Sequence, residues 1–221
     1  MTPRPVTLLL LARHGETVDN AAQIMQGQTQ GRLSERGLQQ AAELAAKLAT
    51  CRIDAVVSSD LYRSVQTARI VSEPHGLPVQ QTPLLRERDW GSFTGRYIPD
   101  LKDEPWPQDI ESLDSLLERA QRFLQYIMTN YEGQTVLAVG HGIINKAIQA
   151  AFFRRPMNQV ERMSNCEVRQ LCLTVSAEVS VVTAAASAVA ASAASAGTSA
   201  EVTASTEVTA SAASSDAATA E

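Results

Sequence analysis

Two apolar runs constrain this chain more than any other feature: Val6-Thr7-Leu8-Leu9-Leu10-Leu11-Ala12 and Thr135-Val136-Leu137-Ala138-Val139. Neither alternates polar with apolar residues, so each reads as a strand buried on both faces, as in a parallel sheet covered by helices. Each leads to a histidine followed by glycine, in Arg13-His14-Gly15 and Gly140-His141-Gly142. Ligands of open α/β sheets collect outside the carboxyl ends of the strands, so two histidines distant in sequence can meet across one pocket. The third histidine, His75, lies in a Pro74-His75-Gly76 turn and reads as structural or exposed. One strand-end histidine fits a hydrogen-bonded structural role equally well. The pair, with Arg13 before one and glycine after both, is much harder to explain that way.

Helical and strand-like segments alternate between these runs. Gly15 to Arg32 reads as a polar, irregular loop. A helix is predicted from about Ser34, its N-cap, to Thr50, with Leu38, Ala41, Leu44, Ala45 and Leu48 facing inward. Ile53 to Ser58 is the second strand; a helix begins at Ser59, turns Leu61, Val65, Ala68 and Val71 to the core, and ends at Pro74, Gly76 and Pro78. A short strand follows at Val79 to Thr82. Ser112 caps a long helix striped by Leu113, Leu116, Leu117, Ala120, Phe123, Leu124 and Ile127, and a last helix runs from Ile143 to Phe153, stopped at Pro156. Val168 to Thr174 and Glu178 to Thr183 close the pattern as strands, antiparallel if they return along the edge. The expected fold is α/β: a three-layer α/β/α sandwich with a mostly parallel sheet and right-handed crossovers.

Charge divides the chain in two. All 19 Lys and Arg residues lie at or before Arg169, and the five acids after it account for the net charge of −5, leaving a neutral body. From residue 184 onward the sequence is almost entirely Ala, Ser, Thr and Val, with no aromatic residue to offset the cost of ordering a backbone. We therefore expect a catalytic domain over 1–183 and a low-complexity, disordered tail over 184–221. A neutral body lacks the clustered basic charge of a nucleic-acid surface. No run is apolar for long enough to span a bilayer, and the amino-terminal run is too short for a signal peptide. A cytoplasmic location is the expectation, with no membrane partner. Cys51, Cys166 and Cys172 are odd in number and lack metal-ligand spacing, so they read as reduced packing residues.

The residues around the histidines supply the parts of a phosphoryl-transfer site. His14 can attack through one ring nitrogen if a backbone carbonyl holds the other. Nearby arginines disfavour a second positive charge and keep the ring neutral. Arg13 and Arg63 offer planar forks to phosphate oxygens, and His141 adds a donor. Gly142 permits close approach, and the helix from Ile143 points free N–H groups at anionic charge. Taken alone, Glu87 among Arg86, Arg88 and Asp89 reads as a solvated charge cluster, and Arg63 as a surface helix residue. Trp90 and Trp106 fit a pocket wall, a lid anchor or core packing equally well. No metal-ligand pair and no glycine-rich nucleotide fingerprint is present, so neither metal nor cofactor is expected.

Four segments follow in order: Arg13-His14-Gly15-Glu16-Thr17 with Asn20, Gln26-Gly27, Leu33-Ser34 and Gly37; Ser58-Ser59-Asp60-Leu61-Tyr62-Arg63-Ser64-Val65-Gln66-Thr67-Ala68; Leu85-Arg86-Glu87-Arg88-Asp89-Trp90-Gly91; and Gly140-His141-Gly142. Together they resemble the motifs of the histidine phosphatase superfamily, also called phosphoglycerate-mutase-like. The resemblance covers about residues 6–175. It implies that His14 becomes a phosphohistidine, that Arg13, Arg63 and His141 bind the phosphoryl group, and that Glu87 first protonates the leaving alcohol and then activates water. Asn20 and Gln26, with Gly142, fall on the substrate or phosphate side. The chain departs from the family pattern at Ile24, Gln30 and Arg32, where arginine, an acid and proline are frequent, and Ile110-Glu111-Ser112 stands for a Gly-Gly-Glu-Ser segment.

The resemblance points to a histidine acid phosphatase-type phosphomonoesterase acting on a small phosphorylated metabolite. A phosphoglycerate-type mutase is the alternative within enzymes, and an inactive phosphate-binding module the alternative outside them. The short, mixed-charge stretch from Gly91 to Ile110 lacks the longer insertion that such mutases carry, which favours hydrolysis.

Overall fold

The computed structural model describes residues 5–174. Their strands form one five-stranded sheet: β1 (Thr7–Arg13), β2 (Ala55–Ser59), β3 (Val79–Thr82), β4 (Thr135–Gly140) and β5 (Val168–Leu173), in the order β3-β2-β4-β1-β5. The first four run parallel, and β5 pairs antiparallel with β1 at the edge. A four-residue helix, α1 (Val18–Ala21), interrupts the long loop after β1; α2 (Glu35–Leu48), α3 (Tyr62–Ser72), α4 (Leu113–Asn130) and α5 (Gly142–Phe153) are the crossovers and covers. The sandwich expected from the apolar runs is the one observed. The expected strand at 178–183 and the tail from 184 lie outside the described residues.

Successive residues of the central strands serve opposite cores, as the two-residue period of a strand requires. Leu9 and Leu11 of β1, with Val136 and Ala138 of β4, pack under α4 and α5. Leu10 and Ala12, with Leu137 and Val139, pack under α2 and α3. This two-sided burial is why neither run alternates polar with apolar residues. Caps set the helix starts: the Ser34 hydroxyl accepts the Gly37 N–H at 3.0 Å, and the Ser112 hydroxyl accepts that of Ser115 at 3.1 Å.

Several local expectations are corrected. The loop after Gly15 holds α1 because Thr17 and Asn20 form a reciprocal capping box. Ser59 ends β2 instead of opening a helix, and α3 starts at Tyr62. Leu38 and Leu113 are 40% and 50% exposed, so neither belongs to the inward stripe of its helix. Cys51 is exposed instead of packed, and all three cysteines are free.

Leu38 faces outward because Gly37 occupies the inward position at the start of α2, in line with Ala41, Leu44 and Ala45. A Cβ at Gly37 would lie 1.9 Å from the Glu16 carbonyl oxygen, and one at Gly15 would lie 2.6 Å from the Gly37 carbonyl oxygen. The first turn of α2 therefore rests directly on the backbone that follows His14. Overpacking costs about 1–3 kcal/mol where neighbours can adjust, and here the obstacle is backbone. Gly37→Ala should lower the melting temperature by roughly 5 °C or more in thermal denaturation; an unchanged melting temperature would show that α2 is free to retreat.

Candidate active site

Parallel pairing of β1 with β4 sets Arg13 opposite Gly140, and the His14 N–H donates to the Gly140 carbonyl at 3.0 Å. His14 and His141 consequently leave the same end of adjacent strands, with ring centroids 5.0 Å apart and planes inclined by 60°. Nδ1 of His14 lies 2.6 Å from the Gly15 carbonyl oxygen. A carbonyl only accepts, so Nδ1 carries the proton and Nε2 keeps its lone pair. Both ring nitrogens of His141 are buried without a hydrogen-bond partner.

Arg13 and Arg63 bring positive charge to the two rings. The Arg13 Nη1 donates to the Met163 carbonyl at 2.7 Å, while its Nε is buried and unpartnered. Arg63, only 1% exposed, is held by the loop before α2: Nη1 donates to the Thr29 and Gln30 carbonyls and Nη2 to that of Gly27. Its Nε is also free. Gln30 completes this contact by accepting the Tyr62 N–H at the start of α3 through its side-chain oxygen, 2.9 Å away. An uncharged amide thus does the capping work at a position where the family pattern favours an acid. Burial lowers both guanidinium pKa values to about 10.

Glu87 reaches the site from the loop after β3, and here one expectation is overturned. The Ile143 and Ile144 N–H groups in the first turn of α5 do not stand free for a phosphate, because the Glu87 carboxylate takes them. Oε1 accepts from Arg88, Ile143 and Ile144 at 2.9, 3.1 and 3.2 Å, whereas Oε2 shares only the Ile143 N–H, at 3.2 Å. A carboxylate at a helix amino end is favourable on both hydrogen-bond and dipole grounds. Oε2 is the less committed oxygen and faces Gly142, 3.6 Å from where a Cβ on that residue would sit.

The remaining expected residues have mixed placements. Asn20 and Gln26 bond each other: the Gln26 Oε1 accepts from Thr17 Oγ1 at 3.0 Å and from Asn20 Nδ2 at 3.4 Å, and its Nε2 donates to Asp19. They brace the loop that holds Arg63. Trp90 is buried with Phe93 and Leu101, while Trp106 is 51% exposed, and the Arg88 guanidinium lies 5.0 and 5.3 Å from the two indole rings.

Two arginines escaped sequence reasoning. Arg119 forms a bidentate pair with Glu111 and donates to the carbonyls of Leu84, Arg86 and Glu87, fastening the Glu87 loop to α4. The available signal was a charge inside the apolar stripe of α4, between Leu116 and Ala120. Arg162, in the loop before β5, lies over Gly142; no local pattern marks it. Among the described residues, no three His, Cys, Asp or Glu side chains gather as a metal-ligating group, and no helix is long and apolar enough to cross a membrane.

Burial, then Arg63 and Arg13, holds the His14 imidazole well below the usual histidine range; burial, Arg63 and His14 do the same to His141. Unfolded, both rings take up a proton near pH 6.5; folded, they do so only at much lower pH. Their contribution to stability is therefore complete above about pH 6.5 and declines as pH falls below it, with a slope of up to about 1.4 kcal/mol per pH unit for each ring. Melting temperatures in phosphate-free buffer should fall between pH 7 and pH 5, and less steeply in His141→Gln. Parallel profiles for the two proteins would contradict a neutral, buried His141.

Residues 9–184 match the family model of the histidine phosphatase superfamily (branch 1). The chain is 33% identical over 177 residues to "Probable phosphoglycerate mutase GpmB" of Enterobacter sp. (strain 638), covering 73% of this chain and 82% of the relative. It is 36% identical over 160 residues to a metal-independent phosphoserine phosphatase of Arabidopsis thaliana, covering 65% and 67%. Among solved structures, Bacillus stearothermophilus YhfR superposes with a TM-score of 0.74 at 29% identity, over 81% of this chain and 96% of that one. A mycobacterial glucosyl-3-phosphoglycerate phosphatase gives 0.72 at 26% identity, over 82% and 96%. The matched region contains both histidines, Arg13, Arg63, Glu87 and Arg162, and the chain belongs to branch 1 of the histidine phosphatase superfamily.

Proposed function

We propose that the protein is a phosphatase that hydrolyses phosphomonoesters of small metabolites through a phosphohistidine at His14. One observation carries the reading: the Nδ1–H of His14 is fixed on the Gly15 carbonyl, leaving an unprotonated Nε2 among guanidinium groups. Nε2 attacks phosphorus and the bond to the leaving oxygen breaks, while Arg13, Arg63 and His141 bind the phosphoryl oxygens. Glu87 supplies a proton to the departing alcohol through Oε2, its less committed oxygen. Water then attacks the phosphohistidine as Glu87 takes back a proton, the P–N bond breaks, and inorganic phosphate leaves with His14 restored. Asn20 and Gln26 support this pocket by bracing the loop that presents Arg63, and Gly142 leaves room beside Oε2.

A mutase must keep water from the same intermediate and hold its substrate's carboxylate under a lid. Between Gly91 and Ile110 the chief cation, Arg96, is committed to both carboxylate oxygens of Glu104. Asp109 is likewise committed, to the backbone and hydroxyl of Ser92. That segment has little with which to close over a second anion, which favours hydrolysis although relatives described as mutases match the chain. With 3-phosphoglycerate, released phosphate should exceed any 2-phosphoglycerate; the reverse would make the protein a mutase.

Brief exposure to substrate followed by alkaline quench should trap an acid-labile phosphoenzyme, absent in His14→Ala, which should also lose turnover. Turnover by His14→Ala at a comparable rate would remove the nucleophile assignment. Glu87→Gln should slow alkyl phosphates by ~10²–10⁴-fold, the usual range for general acid catalysis, and slow p-nitrophenyl phosphate far less, because its leaving group needs no proton. Equal losses would make Glu87 a structural cap of α5 alone.

A further inference from the structure

Arg162 has no hydrogen-bond or ion-pair partner among the described residues, although it stands beside the most cationic part of the molecule. Its Nε and Nη2 lie 3.1 and 3.4 Å from where a Cβ on Gly142 would be, against the amino end of α5. The Glu87 carboxylate already caps that end, and Arg13 and His14 are close enough for the Arg162 charge to depress their protonation. Glu87 is taken up by backbone N–H groups and forms no ion pair with Arg162, so the Arg162 fork keeps its donors open to a further anion.

The position is built. The next residue, Met163, is buried, and its carbonyl accepts from Arg13; the Asn165 amide donates to the His14 carbonyl at 3.0 Å, and the Cys166 N–H to that of Arg13 at 3.0 Å. The loop is fastened to the end of β1 while the Arg162 side chain stays exposed. Arg162 also flanks Oε2 of Glu87 across Gly142, on the outer side of the site, whereas Arg63 and His141 are buried below. The outer side is where the leaving alcohol stands in the proposed reaction.

The geometry points to Arg162 as the anchor for a carboxylate carried by the leaving alcohol, one or two carbons from the ester oxygen. The preferred substrates are then phosphorylated hydroxy acids or hydroxyamino acids, a conclusion that rests on the phosphatase reading above. A carboxylate is planar and singly charged, which suits one guanidinium fork. Neighbouring arginines are already engaged: Arg86 by Asp60, Arg96 by Glu104, and Arg88 by the Glu111 carbonyl and two indoles. Gly142 has a part in the assignment, since any side chain there would occupy the space of the fork.

The test compares kcat/KM for pairs that differ in the carboxylate: O-phosphoserine with O-phosphoethanolamine, and 3-phosphoglycerate with glycerol 1-phosphate. Wild type should favour the carboxylated member of each pair. Arg162→Ala should cut that preference about tenfold or more, mainly through KM, as expected for loss of a charge-assisted pair. Arg162→Lys should retain part of it. A preference unmoved by Arg162→Ala overturns the assignment, as does an equal fall for all four esters and p-nitrophenyl phosphate, which would place Arg162 on the phosphoryl group. Turnover of p-nitrophenyl phosphate through a trapped phosphoenzyme, with the preference unmoved, removes this inference alone. No turnover of any ester by wild type removes the phosphatase reading and this one with it.

Discussion

The parallel pairing of β1 with β4 is the contact from which the site is built. With Arg13 opposite Gly140, the residues that follow fall side by side, and the two imidazoles come within 5.0 Å of each other. A one-residue slip would turn every side chain of one strand to the opposite face. Both strands are buried on both sides, so that slip would also exchange the residues feeding the two helix layers. The same packing that stabilises the sheet therefore specifies the distance between the histidines.

Around that pair, charge is arranged with little local compensation. Arg13 and Arg63 are desolvated enough to bring their pKa values to about 10, and their hydrogen bonds go to backbone carbonyls. Carbonyls supply partial negative charge without a formal anion to compete with a ligand. The imidazoles respond by staying neutral, which leaves His14 nucleophilic and avoids further positive charge. The one carboxylate bonded into the site, Glu87, is tied to the amino end of α5; its charge favours the protonated forms of Arg13 and Arg63 without a direct ion pair to either.

The sheet was readable because buried parallel strands leave uninterrupted apolar runs, and β1 and β4 did so. Helix starts at Ser34 and Ser112 were readable because capping is local chemistry. Leu38 misled because the inward position beside it belongs to a glycine, whose role depends on a close approach to Glu16, distant along the chain. Arg63 and Glu87 show the same limit. Nothing near them in sequence separates them from surface charges, and motif resemblance alone singled them out. Arg162 had neither local pattern nor motif, and Arg119 only the oddity of a charge within the apolar stripe of α4, because their surroundings come from chain segments brought together only by folding.

The Arg119–Glu111 clamp has a broader meaning for how such a site changes. Glu87 hangs from α4 through that clamp, whereas His14, Arg13 and His141 belong to the sheet, and Arg63 to the loop braced by Gln26. The backbone of the proposed acid thus hangs from α4, its carboxylate is tied to the first turn of α5, and the proposed nucleophile belongs to the sheet. On the proposed reaction, alterations on the α4 side can reshape the space beside Glu87 without moving His14. An architecture divided in this way would let the proposed reaction be fitted to many alcohols, with selectivity tuned at the rim and reactivity preserved in the sheet.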